Sequence, residues 1–206
     1  MLEALGAELV FWSPMHDRAL PDNVQGLYFG GGFPEVFAEP LAENESARRS
    51  VRSAIRAGMP TYAECGGLMY LCETITNFEG QAFPMVGVLP TTAMMGKRLT
   101  LGYRHAIALQ DSLLLDKGST IRGHEFHRSH LTSESNSPLF ALHPTSHFPL
   151  PPAHTSHLTP HTSHTDEGWH SPNLHASYLH LHWGARPDIP QRFLGRCATG
   201  AVLSGA

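Results

Sequence analysis

Several features typical of other protein classes are scarce in this sequence. The 206 residues carry 14 Lys and Arg against 18 Asp and Glu, a net charge of −4. This balance offers no basic surface for nucleic acid, and we expect no nucleic-acid partner. No run of about 18 apolar residues occurs, so we also predict no membrane span and no membrane partner.

The cysteine content and the first residues indicate a cytoplasmic protein. The three cysteines, Cys65, Cys72 and Cys197, are an odd number and widely spaced, which does not make a disulfide framework. The first residues lack the basic flank and apolar core of a secretory signal peptide. We therefore expect reduced thiols and a cytoplasmic location.

The ATP-binding motif G-x-x-x-x-G-K-[ST] is also missing. The length suits a single domain, residues 1–206. We predict no cofactor and no metal site in this domain.

Residues 59–71 are the most informative segment, because they read as a strand, a sharp turn and a helix with Cys65 at the turn. Such a nucleophile elbow needs small neighbours where the backbone is tight, and Gly66 and Gly67 follow directly. The positive end of the helix dipole favours a thiolate at this position. Cys65 is therefore the candidate nucleophile, whereas Cys72 is interpreted as a core residue.

A glycine loop precedes the elbow by one strand–helix unit. The apolar residues 26–29 predict a short buried strand that runs into Gly30 and Gly31. Backbone N–H groups of this loop, together with that of Gly66, could form an oxyanion hole.

Alternating strands and helices predict an α/β fold, a parallel sheet covered by helices on both faces. We predict a helix tail over residues 1–7, a strand over 7–12, helix over 35–57 with a solvated arginine face, and helix over 68–75. An antiparallel meander is expected over 85–109, followed by a strand over 121–127.

Four motifs, in this order, resemble the cobyrinate a,c-diamide synthase family. They are the glycine loop LYFGGGFPE at 27–35, the elbow AECGGLMYL at 63–71, RGHEFHRS at 122–129 and SYLHLH at 177–182. The similarity covers roughly residues 1–132 and 167–197. It implies a class I glutamine amidotransferase domain, a flavodoxin-like three-layer sandwich whose mainly parallel sheet has an antiparallel extension.

The resemblance also implies parts that this sequence lacks. In the family a first parallel strand and an N-terminal ATP-dependent ligase domain come earlier, so we expect both to be missing here. ATP and Mg²⁺ are implied for that ligase domain. The missing strand would leave an open sheet edge.

By the same resemblance, His180 corresponds to the catalytic base. The position two residues later usually holds an orienting acid, but here it is His182. If both lie on one strand they share a face, so His182 could orient His180 or act as the base itself. We favour His180. Two further departures are Ala63, where Gly is frequent in the superfamily, and Met69, where many members have a glutamine-binding Gln.

The segment around His124, Glu125 and His127 has two interpretations. By resemblance it borders the glutamine site or the interface to the ligase domain, and otherwise it is a polar strand edge. On a strand, His124 and Phe126 would share one face and Glu125 the other.

Residues 133–166 form a low-complexity segment rich in His, Pro, Ser and Thr, which we interpret as an insertion. Its histidines, including His147, His154, His157 and His161, could bind metal ions, but the prolines do not favour a preformed cage.

The resemblance therefore implies the glutaminase part of a cobyrinate a,c-diamide synthase. This domain would release ammonia from L-glutamine for amidation of the a and c side chains of a corrinoid precursor in cobalamin biosynthesis. A hydrogenobyrinate or nickel-tetrapyrrole substrate stays open. The alternatives are an inactive fragment or interaction module, and a histidine-rich metal-binding protein.

Overall fold

The computed structural model describes residues 1–144 and 164–200. The strands, in chain order, are β1 Leu27–Phe29, β2 Thr61–Glu64, β3 Cys72–Thr76, β4 Ala82–Pro84, β5 Leu89–Ala108, β6 Thr120–Leu131, β7 Phe140–Pro144, β8 Thr165–Glu167, β9 Trp169–Ser171, β10 Leu174–Ser177 and β11 His180–Leu181. The α-helices are α1 Ala38–Glu43, α2 Glu45–Arg56, α3 Gly66–Leu71 and α4 Asp188–Gly200. Short 3-10 turns lie at Glu3–Leu5, Pro34–Phe37 and Trp183–Ala185.

The strands form two sheets. The first has the order β1-β2-β10-β9, with β1, β2 and β10 parallel and β9 antiparallel. The second has the order β11-β6-β5-β3-β4, and β7 and β8 extend it from β5. In this second sheet β5 runs antiparallel to β6 and β7 but parallel to β3. A parallel sheet with an antiparallel extension was expected from the resemblance.

Helices cover both faces of the first sheet. Successive residues of β2 point to opposite faces, so they pack against different helices. Ala63 belongs to the buried cluster that contains Val51 of α2 and the residues of α3. Tyr62 belongs to a second cluster with Ile189 and Phe193 of α4. The three layers therefore meet at β2, the strand that ends at Cys65.

The predicted helix over 35–57 is divided at Asn44. The Asn44 side chain accepts a hydrogen bond from the Ala47 N–H (3.3 Å) and so caps α2. Its amide also donates to the carbonyls of Pro14 (3.0 Å) and Asp17 (2.8 Å). The Asn44 side chain thus caps α2 and also binds the loop that contains Pro14 and Asp17 to the start of this helix.

The prediction of a solvated arginine face on this helix is wrong for two residues. Arg48 is buried and donates to the carbonyl of Met85 (3.2 Å), while Arg52 donates to the carbonyl of Val86. Both guanidinium groups satisfy backbone carbonyls that the fold leaves without strand partners.

Two element predictions are also wrong. Residues 7–12 form no strand; Phe11 is 92% exposed, and a strand needs a neighbour for its backbone groups. The helix predicted over 68–75 ends at Leu71, because the β-branched Thr74, Ile75 and Thr76 belong to β3. Cys72 is nevertheless fully buried, as expected.

The segment interpreted as an insertion over 133–166 is partly folded. Phe140–Pro144 pairs with β5, and Leu139, Phe140 and Leu142 are buried in the core. Thr165–Glu167 pairs with β7. The histidines at 147, 154, 157 and 161 lie outside the described residues.

Among the described strands β1 pairs only with β2. A cleft of about 1400 Å³ lies beside β1, lined mainly by residues between 2 and 41, with Gly66, Gly67, Tyr70 and residues between 193 and 198. In the part of the chain that the structure describes, no helix has both the length and the hydropathy needed to cross a membrane.

Candidate active site

The turn that holds Cys65 has the strained geometry of an elbow. Cys65 has a left-handed φ of 50° and a ψ of −101°, which a non-glycine residue adopts only when its surroundings enforce it. Its N–H donates to the carbonyl of Ser177 at the end of β10 (2.8 Å), which fixes the turn to the neighbouring strand. Gly66 then begins α3.

The glycine loop packs directly against this turn. The carbonyl of Gly30 accepts a hydrogen bond from the N–H of Gly67 (3.1 Å). A Cβ at Gly66 would lie 2.7 Å from the carbonyl oxygen of Gly32, so a side chain there would push the loop away. The N–H of Gly66, at the first position of its helix, has no acceptor within the helix and is free for a ligand.

His180 lies beside Cys65, and its Nδ1 is 2.8 Å from Oε1 of Glu64. The Cys65 Sγ lies 3.8 Å from the carbonyl oxygen of Phe126. The interaction with Cys65, and secondly the hydrogen bond to Glu64, raise the pKa of His180 to about 10, against the lowering effect of burial. Gly31 touches the same ring, since a Cβ at position 31 would lie 2.6 Å from Cε1 of His180.

Glu64 is a residue of this site that sequence reasoning did not identify. Its Oε2 accepts from the hydroxyl of Tyr62 (2.5 Å) and from the N–H of Leu181 (3.2 Å). Burial alone would raise the pKa of Glu64, but hydrogen bonds from His180 and Tyr62 lower it below its usual value. The only signal in the sequence was a carboxylate directly before the elbow cysteine.

The structure separates His182 from the strand that was expected to carry both histidines. β11 ends at Leu181, and His182 begins the 3-10 turn Trp183–Ala185. The His182 ring lies against that turn, where a Cβ at Gly184 would be 2.9 Å from its Cε1. A catalytic role for His182 stays a prediction.

The three candidate residues of the RGHEFHRS motif, His124, Glu125 and His127, take different positions. The His124 ring stacks on His180, with centroids 4.7 Å apart and planes at 10°. Glu125 is buried on the other side of β6, where it accepts from Nε of Arg104 (2.6 Å) and lies 3.5 Å from Nε2 of His127. The expected opposite orientation of His124 and Glu125 is confirmed.

A cavity of about 200 Å³ opens at Cys65. Its walls include Met69 of α3, His127 and Arg128 of β6, and the side chain of Glu35. Burial raises the pKa of Glu35. This volume is below the ~300–1,000 Å³ of pockets for drug-sized ligands, so the cavity suits a molecule the size of one amino acid.

The other two cysteines lack this environment. Burial raises the pKa of the Cys72 thiol well above its ordinary value and that of Cys197 to about 11, so neither forms a thiolate near neutral pH. Within residues 1–144 and 164–200, no group of three or more His, Cys, Asp or Glu side chains is placed to hold a metal ion.

A cysteine at a strained elbow, beside an imidazole that a carboxylate holds and at the N-terminus of a helix, is the arrangement of a thiol nucleophile for acyl transfer. The family model of the CobB/CobQ-like glutamine amidotransferase domain matches residues 1–188. The chain belongs to this family. Membership in an enzyme family disfavours the interaction module and the metal-binding protein as alternatives.

Curated relatives carry more specific names. The chain is 52% identical over 204 residues to a cobyrinate a,c-diamide synthase of Synechococcus sp., covering 99% of this chain and 42% of the relative. It is 43% identical over 199 residues to a hydrogenobyrinate a,c-diamide synthase of Streptomyces coelicolor, covering 97% of this chain and 37% of the relative. The chain thus spans about two fifths of the length of these relatives.

Solved structures confirm the expected fold class. A crystal structure of a glutamine amidotransferase matches with a TM-score of 0.52 at 16% identity, over 86% of this chain and 81% of the other. A Thermoplasma acidophilum protein, described as a candidate GMP synthase subunit, matches with a TM-score of 0.61 at 15% identity, over 100% of this chain and 88% of the other.

Proposed function

We propose that this domain hydrolyses the side-chain amide of L-glutamine and releases ammonia. The observation that carries the proposal is the position of His180, which Glu64 anchors through Nδ1 (2.8 Å), beside the Cys65 thiol at the elbow. A protonated imidazole beside a cysteine favours the thiolate, which is the attacking form.

In the first step the Cys65 thiolate attacks the carboxamide carbon of glutamine and forms the C–S bond. The negative charge moves to the former carbonyl oxygen. The N–H of Gly66 and those of the glycine loop at Gly30 and Gly31 are the donors proposed to stabilise it. Gly66 packs directly on this loop at Gly32, so the elbow and the loop are neighbours.

In the second step the C–N bond breaks, and the His180 imidazolium gives its proton to the departing nitrogen, which leaves as ammonia. A glutamyl thioester remains on Cys65. Water then attacks this thioester while His180 takes up a proton, and the products are glutamate and the Cys65 thiolate.

The cavity supplies charges that complement the free ends of glutamine. Glu35 and Arg128 line the same small volume as Cys65. We assign the Glu35 carboxylate to the α-ammonium group and the Arg128 guanidinium to the α-carboxylate. Burial raises the pKa of Glu35 because it disfavours the charged carboxylate, and a bound ammonium group would offset this cost.

We infer that ammonia from this site serves a cobyrinate a,c-diamide synthase. In such an enzyme a separate ligase domain would use ATP and Mg²⁺ to activate the a and c side chains of the corrinoid precursor. A relative that is 52% identical to the chain is named a cobyrinate enzyme, and the proposal follows that name. His124 and the exposed Phe126 (45%) are candidates for contact with the ligase domain.

Glutamate production by the wild-type chain and by Cys65→Ala, with and without a separately supplied ligase domain, tests this proposal. We expect the wild type to release glutamate and Cys65→Ala to have lost at least about 10⁴-fold in kcat, because the covalent route is gone. Cys197→Ala is the matched control and should keep its activity. A folded wild-type chain without activity in either combination would refute the proposal.

A further inference from the structure

We propose that Glu64, directly before the nucleophile, is the positioning carboxylate that orients His180. It replaces the acid that the resemblance places two residues after the histidine, where this chain has His182. The inference rests on the proposed glutaminase function and adds a residue to its machinery.

The pairing of the strands brings Glu64 and His180 together. Glu64, at the end of β2, is in register with Ser177 at the end of β10. His180 follows Ser177 by three residues and starts β11, which pairs with β6 through the register His180 to His124. Glu64 therefore sits where the chain passes from the first sheet to the second.

The Glu64 carboxylate is held in one orientation by donors from several elements. Its Oε1 faces Nδ1 of His180 (2.8 Å), and its Oε2 accepts from Tyr62 (2.5 Å) and from the N–H of Leu181 (3.2 Å). Tyr62 is itself 1% exposed and packs on Trp183, with ring centroids 5.1 Å apart. A carboxylate fixed in this way fixes the ring that it binds.

This contact determines which ring nitrogen faces the thiol. With Nδ1–H donating to Glu64, Nε2 is left for Cys65, as an acid–base group needs. Among the described residues, the titratable groups against the His180 ring are Glu64, Cys65 and the stacked His124. Burial, and secondly the charge of His180, lower the pKa of His124, so His124 adds no second positive charge at neutral pH.

The variants Glu64→Gln, Glu64→Asp and His182→Gln distinguish a positioning role from a structural one. For Glu64→Gln we expect a loss of kcat of about 10²-fold or more with little change in KM, because the ring loses its orienting charge. Glu64→Asp keeps the charge and should recover part of the activity. Glu73→Gln, at an exposed carboxylate on β3, is the matched control.

The pH profile supplies a second readout. Loss of the His180 proton removes the acid that releases ammonia, so kcat should fall as pH rises through the pKa of His180. That alkaline limb should move to lower pH in Glu64→Gln. The ¹³C NMR signal of the His180 ring, assigned by its loss in His180→Gln, should titrate at lower pH in Glu64→Gln than in the wild type.

A His180 signal that titrates at the same pH in both proteins would overturn the inference. So would a larger loss of kcat in His182→Gln than in Glu64→Gln. If the wild-type chain hydrolyses no glutamine, the proposed function fails, and the NMR titration still decides whether Glu64 controls the His180 ring. Circular dichroism of each variant identifies a folding defect, in which case Glu64→Asp carries the test.

Discussion

Replacing Gly31 by alanine should lower glutaminase activity, because the added methyl group would clash with the His180 ring. The added Cβ would lie 2.6 Å from Cε1 and 3.4 Å from Nδ1 of His180. Ordinary van der Waals contacts begin near 3.4 Å, so the ring or the loop must withdraw by about 0.8 Å. The ring has little freedom to do so, because Glu64 holds its Nδ1 and His124 stacks on its face.

The displacement can be converted into an expected loss of activity. A misplacement of about 1 Å in a catalytic group costs on the order of 10²-fold in rate. That factor corresponds to about 2.7 kcal/mol in the activation free energy. We therefore expect Gly31→Ala to lower kcat by about 10²-fold, while KM changes much less because the contact involves the ring and not the glutamine cavity.

The assay is glutamate release, measured beside Gly195→Ala as a control in α4, away from the site. A Cβ at Gly195 has no atom within 4 Å, so this variant should keep its activity. Thermal unfolding of both variants separates a local effect from a loss of fold. Wild-type kcat in Gly31→Ala, or an equal loss in Gly195→Ala, would contradict the reasoning.

Two further predictions concern substrate binding and stability. Glu35→Gln should raise KM for L-glutamine by about tenfold or more but leave KM for glutaramate, which lacks the α-amino group, unchanged; equal effects on both substrates would refute the assignment of Glu35. Asn44→Ala should lower the free energy of unfolding by about 2 kcal/mol, because it removes the cap of α2 and two hydrogen bonds to the preceding loop. Asn44→Ser, which keeps a capping oxygen but not the amide donors, should lose less in urea unfolding, and an unchanged midpoint for Asn44→Ala would contradict this account.

Short sequence patterns predicted the structure correctly where the interaction that determines it joins residues close together in the chain. The elbow around Cys65 needs glycines directly after it, and this requirement is visible in the order of residues. The alternation of burial along β6 likewise follows from the period of a strand, which is why the opposite faces of His124 and Glu125 could be foreseen.

Prediction failed where a distant partner decides the outcome. Residues 7–12 have an apolar pattern, but among the described strands no neighbour pairs with them. Arg48 lies at a surface position of the helical pattern, yet it turns inward to the carbonyl of Met85, 37 residues away. Residues 139–142 were assigned to a low-complexity segment. Only the pairing of Phe140 to Leu142 with β5, and the burial of Leu139 beside them, show that they belong to the core.

Short sequence motifs identify the candidate nucleophile, the glycine loop and His180, because strained turns and close backbone contacts require particular residues at fixed spacing. No motif identifies Glu64 as the partner of His180. Glu64 and His180 are 116 residues apart, and only the parallel pairing of β2 with β10 brings the carboxylate to the imidazole. Tertiary structure decides that contact because hydrogen bonds between side chains depend on distance in space, which the order of residues along the chain does not specify.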